Sequence, residues 1–137
     1  MDIRRIFDAL AISGSGLSAQ RRRLSVIAEN IAHAHDTNRG DGTPYRRKTA
    51  VFETELQGKM DGLVQVSGVV EDDKTPLERV HIPGHPMADK DGMVAFPNVN
   101  PIFEMVYLMA ATRAYEANLQ VARTFRGMVD QTLNNLR

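Results

Sequence analysis

The stretch NPIFEMVYLMAATRAYEANLQVARTFRGMVDQTLNNLR, residues 100–137, ends the chain and decides its fold. Asn100 followed by Pro101 is typical of a helix start, because Asn accepts free backbone N–H groups and Pro has no N–H to leave unbonded. Glu104 adds negative charge to the first turn, where the helix dipole favours it. No further Pro follows. The sequence therefore predicts one long helix from Pro101 towards the end of the chain.

Apolar residues recur every seven positions along this helix. The repeat consists of Leu108, Tyr115, Ala122, Val129 and Leu136. Further apolar positions widen it into a stripe, namely Met105, Ala111, Leu119, Phe125 and Leu133. A period of seven over several turns favours packing along another long helix. A helix of this length measures roughly 54 Å, whereas a globule of this chain length is only about 30 Å across. The helix therefore needs a partner of similar length.

Residues 3–34 supply that partner. Their apolar repeat, again with a period of seven, is Ile3, Leu10, Leu17, Leu24 and Ile31. Gly14 and Gly16 fall inside this repeat, and each glycine costs about 1 kcal/mol relative to Ala in a helix interior. Two interpretations remain open at this point. Either the helix breaks there, or the small residues let a neighbouring helix approach closely.

The middle of the chain has the composition of a small β-rich insert. Residues 36–44 are a loop, and Tyr45–Leu56 is extended or a strand. Leu63–Val70 and Leu77–Ile82 are further candidate strands, and a hairpin-like turn at Asp89–Gly92 precedes Met93–Phe96, so the insert should hold two or three short strands. We therefore predict a mainly α fold, in which long N- and C-terminal helices pair as an antiparallel coiled-coil-like hairpin. Residues 1–35 and 99–137 form this helical domain, and residues 36–98 form the insert.

Composition and motifs argue against several classes of function. The chain has 17 basic and 17 acidic side chains, so it lacks the basic surface typical of nucleic-acid binders. It has no cysteine, which excludes disulfides and cysteine-bound zinc. Neither a phosphate-binding glycine loop nor a nucleophile–base arrangement is present, and the histidine pairs His33/His35 and His81/His85 have poor spacing for a metal. We expect no enzymatic activity, catalytic residue, metal, cofactor or small-molecule substrate.

The start of the chain gives an expectation about export. Arg4 and Arg5 precede an apolar stretch, but Asp8 interrupts that stretch and no cleavage site follows Gly16. Mean hydropathy is −0.31, and no apolar run is long enough to span a bilayer. We expect no cleaved signal peptide.

Three blocks of sequence resemble the bacterial flagellar basal-body rod protein family, in particular its short proximal-rod type. The first block is Ser15–Gln20 with Asn30-Ile31-Ala32 and Thr37, which is similar to the N-terminal signature of flagellar axial proteins. The second is Pro44–Lys48 with Val51-Phe52. The third begins at His85-Pro86 and runs through Asp91-Gly92, Pro97–Pro101, Glu104-Met105, Ala110-Ala111 and Arg113 to Tyr115–Asn118. The resemblance covers nearly the whole chain, with one departure at His33, where the axial signature usually has Asn.

The resemblance implies a structural subunit that polymerises through its terminal helices into the rod, the torque-transmitting drive shaft that crosses the periplasm. It implies as partners other copies of the chain, neighbouring rod proteins, and the flagellar type III export apparatus during secretion. The adaptor between the rod and the MS ring is a further candidate partner. Nucleic acid is not among the implied partners.

The apolar repeats supply the expected packing and subunit-interface residues. These are Leu10, Leu17, Leu24, Ile31, Leu108, Tyr115, Leu119, Phe125, Val129 and Leu133. Asn30 and Asn118 lie beside the repeats, where a polar Asn can fix the register of two helices. The main alternative is a helical adaptor or chaperone-like binding module, which would stop at a small defined complex. A small enzyme would require catalytic roles for histidines such as His33, His81 or His85.

Overall fold

Along the chain, the strands of two small sheets lie between two long helices. The computed structural model describes residues 3–55 and 63–135, with side chains described from residue 8 onward except at residue 55. Helix α1 spans Ile3–Ala32 and helix α2 spans Pro101–Asn135, lengths of about 45 and 52 Å at 1.5 Å per residue. Between them lie four strands: β1 (Lys48–Glu55), β2 (Leu63–Glu71), β3 (Glu78–His81) and β4 (Met93–Phe96). The prediction of a mainly α chain with a β-rich insert is confirmed, while Leu56, Leu136 and Arg137 lie outside the described residues.

Asn100 caps α2 as the sequence predicts. Its Oδ1 atom accepts hydrogen bonds from the backbone N–H groups of Ile102 at 3.0 Å and Phe103 at 3.3 Å. Its carbonyl oxygen accepts the first helical bond, from the N–H of Glu104 at 3.0 Å. Two of the orphan donors at the helix start are therefore satisfied by one side chain.

The two helices run in opposite directions along each other. Near one end, the Nδ2 atom of Asn30 donates to Glu104 Oε2 at 3.2 Å. Fourteen residues earlier in α1 and fourteen later in α2, Gly16 lies against the side chain of Asn118. Fourteen residues correspond to about 21 Å of helix, so these two contacts fix an antiparallel register over four turns. Whether the side chains interlock as in a coiled coil remains a prediction.

The strands form two separate antiparallel pairs. Strand β1 pairs with β2, from Lys48 opposite Glu71 to Glu55 opposite Leu63, and the register shifts between Val51 and Phe52. Strand β3 pairs with β4, from Glu78 opposite Phe96 to His81 opposite Met93. The first pair packs against α1, where the Ser15 hydroxyl accepts a hydrogen bond from the N–H of Val64 at 3.1 Å and donates to Ile12 O at 2.7 Å. Helix α1 therefore has two packed sides, one against α2 and one against β2.

Gly14 and Gly16 do not break the helix, because α1 is continuous through both residues. They differ in what surrounds them. A Cβ atom at Gly16 would lie 3.2 Å from Nδ2 of Asn118, whereas a Cβ atom at Gly14 would meet nothing within 4 Å. Gly16 therefore permits close approach of α2, which was the second of the two interpretations left open by the sequence.

Gly14→Ala and Gly16→Ala should consequently have different effects on stability. Both replacements remove the helix penalty of glycine, so Gly14→Ala should raise the free energy of unfolding by about 0.5–1 kcal/mol. Gly16→Ala should give a smaller gain or a loss, because the new methyl group crowds Asn118. Urea denaturation followed by circular dichroism measures both.

The double variant Gly16→Ala with Asn118→Ala provides the control for this comparison. The double variant should show the full increase in the free energy of unfolding that Gly16→Ala alone does not reach, because the Asn118 amide no longer crowds the new methyl group. Equal gains from the two single glycine variants would contradict close packing at Gly16.

Candidate functional site

A buried polar cluster joins the end of α1, the start of α2 and the entry to β1. We call it the polar hub, and it consists of Asn30, Tyr45, Arg47, Lys48 and Glu104. Asn30 and Glu104 are each only 1% exposed, and they are the buried polar residues of the described chain. Buried polar groups are costly unless they are paired, so their partners decide whether this hub stabilises the fold.

Asn30 uses its complete hydrogen-bonding capacity. Its Nδ2 donates to Lys48 O at 2.8 Å and to Glu104 Oε2 at 3.2 Å. Its Oδ1 accepts from the Tyr45 hydroxyl and from the Lys48 N–H, each at 2.9 Å. Two donors and two acceptor positions are all that a side-chain amide offers. One side chain thus fixes the strand entry to α1 and α1 to α2.

Glu104 receives a charged partner as well as Asn30. The Nε atom of Arg47 donates to Glu104 Oε1 at 2.6 Å, and the Arg47 backbone N–H donates to Asn98 Oδ1 at 2.8 Å. The Arg47 guanidinium also lies over the ring of Tyr107, 5.5 Å from its centroid. A carboxylate buried in a helix interface is tolerated here because an arginine neutralises it.

Tyr45 is enclosed by aromatic and cationic groups. Its ring stacks on His33 with centroids 5.0 Å apart, and Arg39 and Lys48 lie 5.0 and 5.5 Å from its centroid. Burial raises the pKa of its hydroxyl to about 12, and the nearby Glu29 carboxylate adds to this shift. His33, the departure from the axial signature, bonds through Nδ1 to Asp36 Oδ2 at 2.5 Å.

The predicted packing residues of α2 are of two kinds, at least partly buried or exposed. On α2, positions alternating by three and four are all at least partly buried: Glu104, Leu108, Ala111, Tyr115, Asn118, Ala122, Phe125 and Val129. Leu119 is half-buried beside them, whereas Leu133 is 59% exposed in the last turn of the helix and Met105 is also exposed. The α2 repeat predicted from the sequence is thus at least partly buried through Val129, and its packing against α1 stays a prediction.

The predicted α1 repeat lies next to the α1 residues that contact α2. Leu10, Leu17, Leu24 and Ile31 are half-buried. Successive residues are separated by 100° around a helix, so Leu17 and Ile31 are each one such step from Gly16 and Asn30, which contact α2. The asparagines expected beside the repeats are thus the ones that face the partner helix. Because α1 also packs on β2, its half-buried leucines have two neighbouring elements, and their packing against α2 stays a prediction.

The outer side of α2 carries a large exposed apolar surface over its first three turns. Ile102 is 72% exposed and Met109 is 56% exposed. We call this surface the apolar face, and it consists of Ile102, Phe103, Met105, Val106 and Met109. Exposed apolar side chains occur singly on most proteins, but a contiguous group marks a surface for a partner.

Sequence reasoning did not assign Tyr45, Arg47, Lys48 or Glu104 to a site. Two of the three family-like blocks contain them, so a signal was present, although only as a resemblance.

The described residues bring together no group of three or more His, Asp or Glu side chains that could hold a metal. Within residues 3–55 and 63–135, neither helix combines the length and apolar character needed to cross a bilayer.

Loss of the hub's central amide should strongly destabilise the fold. Asn30→Ala should lower the free energy of unfolding by about 2–4 kcal/mol, because it leaves the Tyr45 hydroxyl, the Lys48 backbone and Glu104 without their buried partner. Asn134→Ala, at an exposed position of α2, should change it by less than about 0.5 kcal/mol. Chemical denaturation of both variants gives the comparison, and similar small effects would contradict a central role for Asn30.

Tyr45 should make stability fall at high pH. Its folded pKa of about 12 exceeds the usual value of 10, so the neutral form is favoured in the folded chain. The unfolded chain therefore loses this proton first, and the contribution of Tyr45 is present below pH ~10 and declines as pH rises towards ~12. Tyr45→Phe should remove this part of the pH dependence while lowering stability at neutral pH through the lost bond to Asn30. Urea denaturation at several values between pH 8 and 12 measures both effects, and identical slopes for the two chains would contradict it.

Comparison with known proteins assigns the termini and the whole chain to one group. Residues 10–34 match the family described as "Flagella basal body rod protein", and residues 90–136 match "Flagellar basal body rod FlgEFG protein C-terminal". The flagellar basal-body rod protein FlgC of Salmonella typhimurium is 42% identical over 134 residues, which cover 97% of each chain. FlgC of Escherichia coli O6:H1 has the same identity and coverage, and FlgC of Agrobacterium fabrum is 44% identical over 94% of each chain.

Proposed function

Because the chain belongs to the FlgC-type flagellar basal-body rod proteins, we propose that its paired terminal helices are the part through which it polymerises. The chain is a structural subunit of the basal-body rod and not an enzyme. Its assembly through the helices, its position in the rod and its export are the proposals made here. The observation that carries assembly through the helices is the exposed apolar face at the start of α2, while the position in the rod and the export are proposed from the family alone.

The apolar face is suited to contacts between subunits. Its members are exposed although α2 is already packed against α1 on its other side. Fully burying one such side chain contributes about 1.5–3 kcal/mol. A rod subunit has neighbours on several sides, so contacts of this kind can be repeated throughout an assembly. The half-buried leucines of α1, Leu10, Leu17 and Leu24 with Ile31, are further candidates for burial by a neighbour.

The asparagines of the two helices would set the register in which the hairpin forms. Asn30 bonds to Glu104, and Asn118 lies against Gly16. A slip of one helix along the other would leave the amide of Asn30 buried without partners, which costs more than an apolar mismatch. A fixed hairpin would then present the same outer surface on every copy, as a regular polymer requires.

The proposed setting is the rod where it crosses the periplasm, which the chain would reach through the flagellar type III export apparatus without a cleaved signal. Its partners would be other copies of itself, neighbouring rod proteins and the adaptor to the MS ring. The family assignment supports the rod proteins as a group, while the individual neighbours remain proposals.

The helical adaptor or chaperone-like module remains the alternative for the terminal helices. It would use the apolar face to hold one partner in a complex of fixed size. A rod subunit would instead add copies to a growing structure. Incorporation into basal bodies therefore distinguishes the two functions.

Met109→Lys should reduce assembly without unfolding the subunit. Its side chain is 56% exposed, so the charge is tolerated in the free chain but is costly in an apolar contact. In a flagellated strain that lacks its own copy of this gene, incorporation into isolated basal bodies should fall about tenfold or more, the equivalent of losing one buried apolar side chain, and swimming should fall with it.

Gln131→Lys supplies the matched control, because it introduces the same charge at an exposed position elsewhere on α2. It should support swimming at the level of the unmodified chain. Circular dichroism of both purified variants should show unchanged helix content. If the unmodified chain is absent from basal bodies, the proposed function is wrong. If it is present and Met109→Lys matches it, the apolar face is not the assembly surface.

A further inference from the structure

The outer sides of the two helices complement each other in charge and in shape. We infer that the apolar face of α2 docks onto the outer side of α1 of a second copy of this chain, antiparallel and in the register that sets Glu116 against Arg21. This inference rests on the proposed function, since it names the partner and the contact of the assembly surface. It concerns a contact between copies and not the pairing of α1 with α2 inside one chain.

The outer side of α1 is exposed along its length and is formed mainly by small residues. Positions alternating by three and four give Gly14, Ser18, Arg21, Ser25, Ala28 and Ala32, all exposed. Arg21 is the one charged member of this row. The equivalent outer row of α2 begins with Ile102, Val106 and Met109, continues with Arg113 and Glu116, and has Glu116 as its one acid through Gly127.

Arg21 and Glu116 are charged side chains on the outer sides of the two helices. Neither residue takes part in an ion pair among the residues that the structure describes, although both are exposed. Each lies on the side of its helix that faces away from the other helix. A second copy can therefore bring the two charges together, whereas a single copy cannot.

The same register aligns the apolar ends of the two rows. Seven residues back from Glu116 lies Met109, and seven residues on from Arg21 lies Ala28. In an antiparallel arrangement Met109 thus meets Ala28, and Val106 falls between Ala28 and Ala32. Ala28 and Ala32 are small, so the large side chains of α2 can lie against them while the two helices approach closely.

Two other arrangements fit less well. A parallel arrangement with the same ion pair would place Met109 against Gly14 and would leave Ala28 and Ala32 opposite the charged half of α2. An antiparallel shift that aligns Arg113 with Arg21 would bring two positive charges together. In the inferred register Arg113 lies near Ser25 instead.

The contact joins two different surfaces, so when two copies pair, one still has its apolar face free and the other still has the outer side of α1 free. A heterologous contact of this kind produces closed rings or open helical polymers, and it does not stop at a dimer. Arg21, on α1 of one copy, and Glu116, on α2 of the next, would repeat at each step. Repeated addition of copies matches a rod, whereas a symmetric contact would stop at a dimer.

Disulfide cross-linking tests the contact directly, because the natural chain has no cysteine. A chain carrying both Arg21→Cys and Glu116→Cys should give, under mild oxidation at high protein concentration, a ladder of dimers, trimers and larger species. A bond within one chain is excluded by geometry: outer Cα atoms of two adjacent helices are at least about 12 Å apart, and a disulfide needs about 7 Å or less.

The single variants and a mixture provide the controls. Arg21→Cys alone and Glu116→Cys alone should give no disulfide-linked species, while their equal mixture should give disulfide-linked dimers only. Lys90→Cys combined with Glu116→Cys, which uses an exposed residue of the insert, should give no ladder. Dimers from either single variant would overturn the heterologous contact, and a ladder no stronger than the Lys90 control would overturn the contact altogether.

A second pair fixes the direction of the helices. Ala28→Cys with Met109→Cys should form the ladder, and Gly14→Cys with Met109→Cys should not. The opposite result would overturn the antiparallel register.

Charge reversal adds a test without cysteine. Arg21→Glu or Glu116→Arg alone should weaken self-association about five- to tenfold, because the attraction between the two charges becomes repulsion. The double reversal should restore self-association.

Failure of this contact can be told apart from failure of the proposed function. Each cysteine chain is also expressed in the strain that lacks its own copy of this gene. Incorporation into basal bodies without any 21–116 cross-link would retain the rod function and overturn this contact. Absence of the unmodified chain from basal bodies would overturn the rod function itself.

Discussion

The hydrogen bond between the Asn30 amide and the Glu104 carboxylate joins two residues that are 74 positions apart in the chain, and the rest of the structure depends on it. Both side chains are almost completely buried, so each must be fully paired to be tolerated. Asn30 meets this requirement with four bonds, and Glu104 meets it with Arg47 as a charged partner. The end of α1, the start of α2 and the entry to β1 therefore have a single arrangement in which no polar group is left unbonded.

This requirement explains why the hairpin has a defined register. Apolar contacts between helices are non-directional, and a heptad repeat alone permits slips by whole turns. The polar hub should disfavour such slips, because a slip would separate Asn30 from Glu104 and leave both buried without partners. Gly16 supports the same register farther along, since it is the position at which α1 leaves room for Asn118. Two contacts about 21 Å apart thus align the helices where the apolar residues only hold them together.

The sequence predicted the elements, but it did not identify Tyr45, Arg47, Lys48 and Glu104 as residues that join them. The cap at Asn100, the long α2 and the β-rich insert follow from local chemistry, and the structure has all three, although its insert has four strands where the sequence predicted two or three. The face of α1 that meets α2 was not predictable in the same way, because α1 also packs against β2 and an apolar repeat alone does not say which neighbour its residues contact. The burial of Glu104 was also hidden, since it depends on Arg47 and Asn30, which are distant in sequence. Local patterns report what a residue prefers, whereas burial of a charge is decided by partners that only the fold brings near.

Polar and apolar interactions lie in different parts of the subunit. Directional, fully paired polar bonds lie inside the subunit, where a misplaced group would be costly, and they give one rigid arrangement. Exposed apolar side chains lie outside on α2, where burial adds free energy but little direction. An assembly that relied on these side chains alone would tolerate several neighbouring registers, so its order needs a directional element on the same outer surfaces. Exposed charges such as Arg21 and Glu116 can supply that element at low cost, because they remain hydrated in the free subunit and discriminate against like-charged alignments when two copies meet.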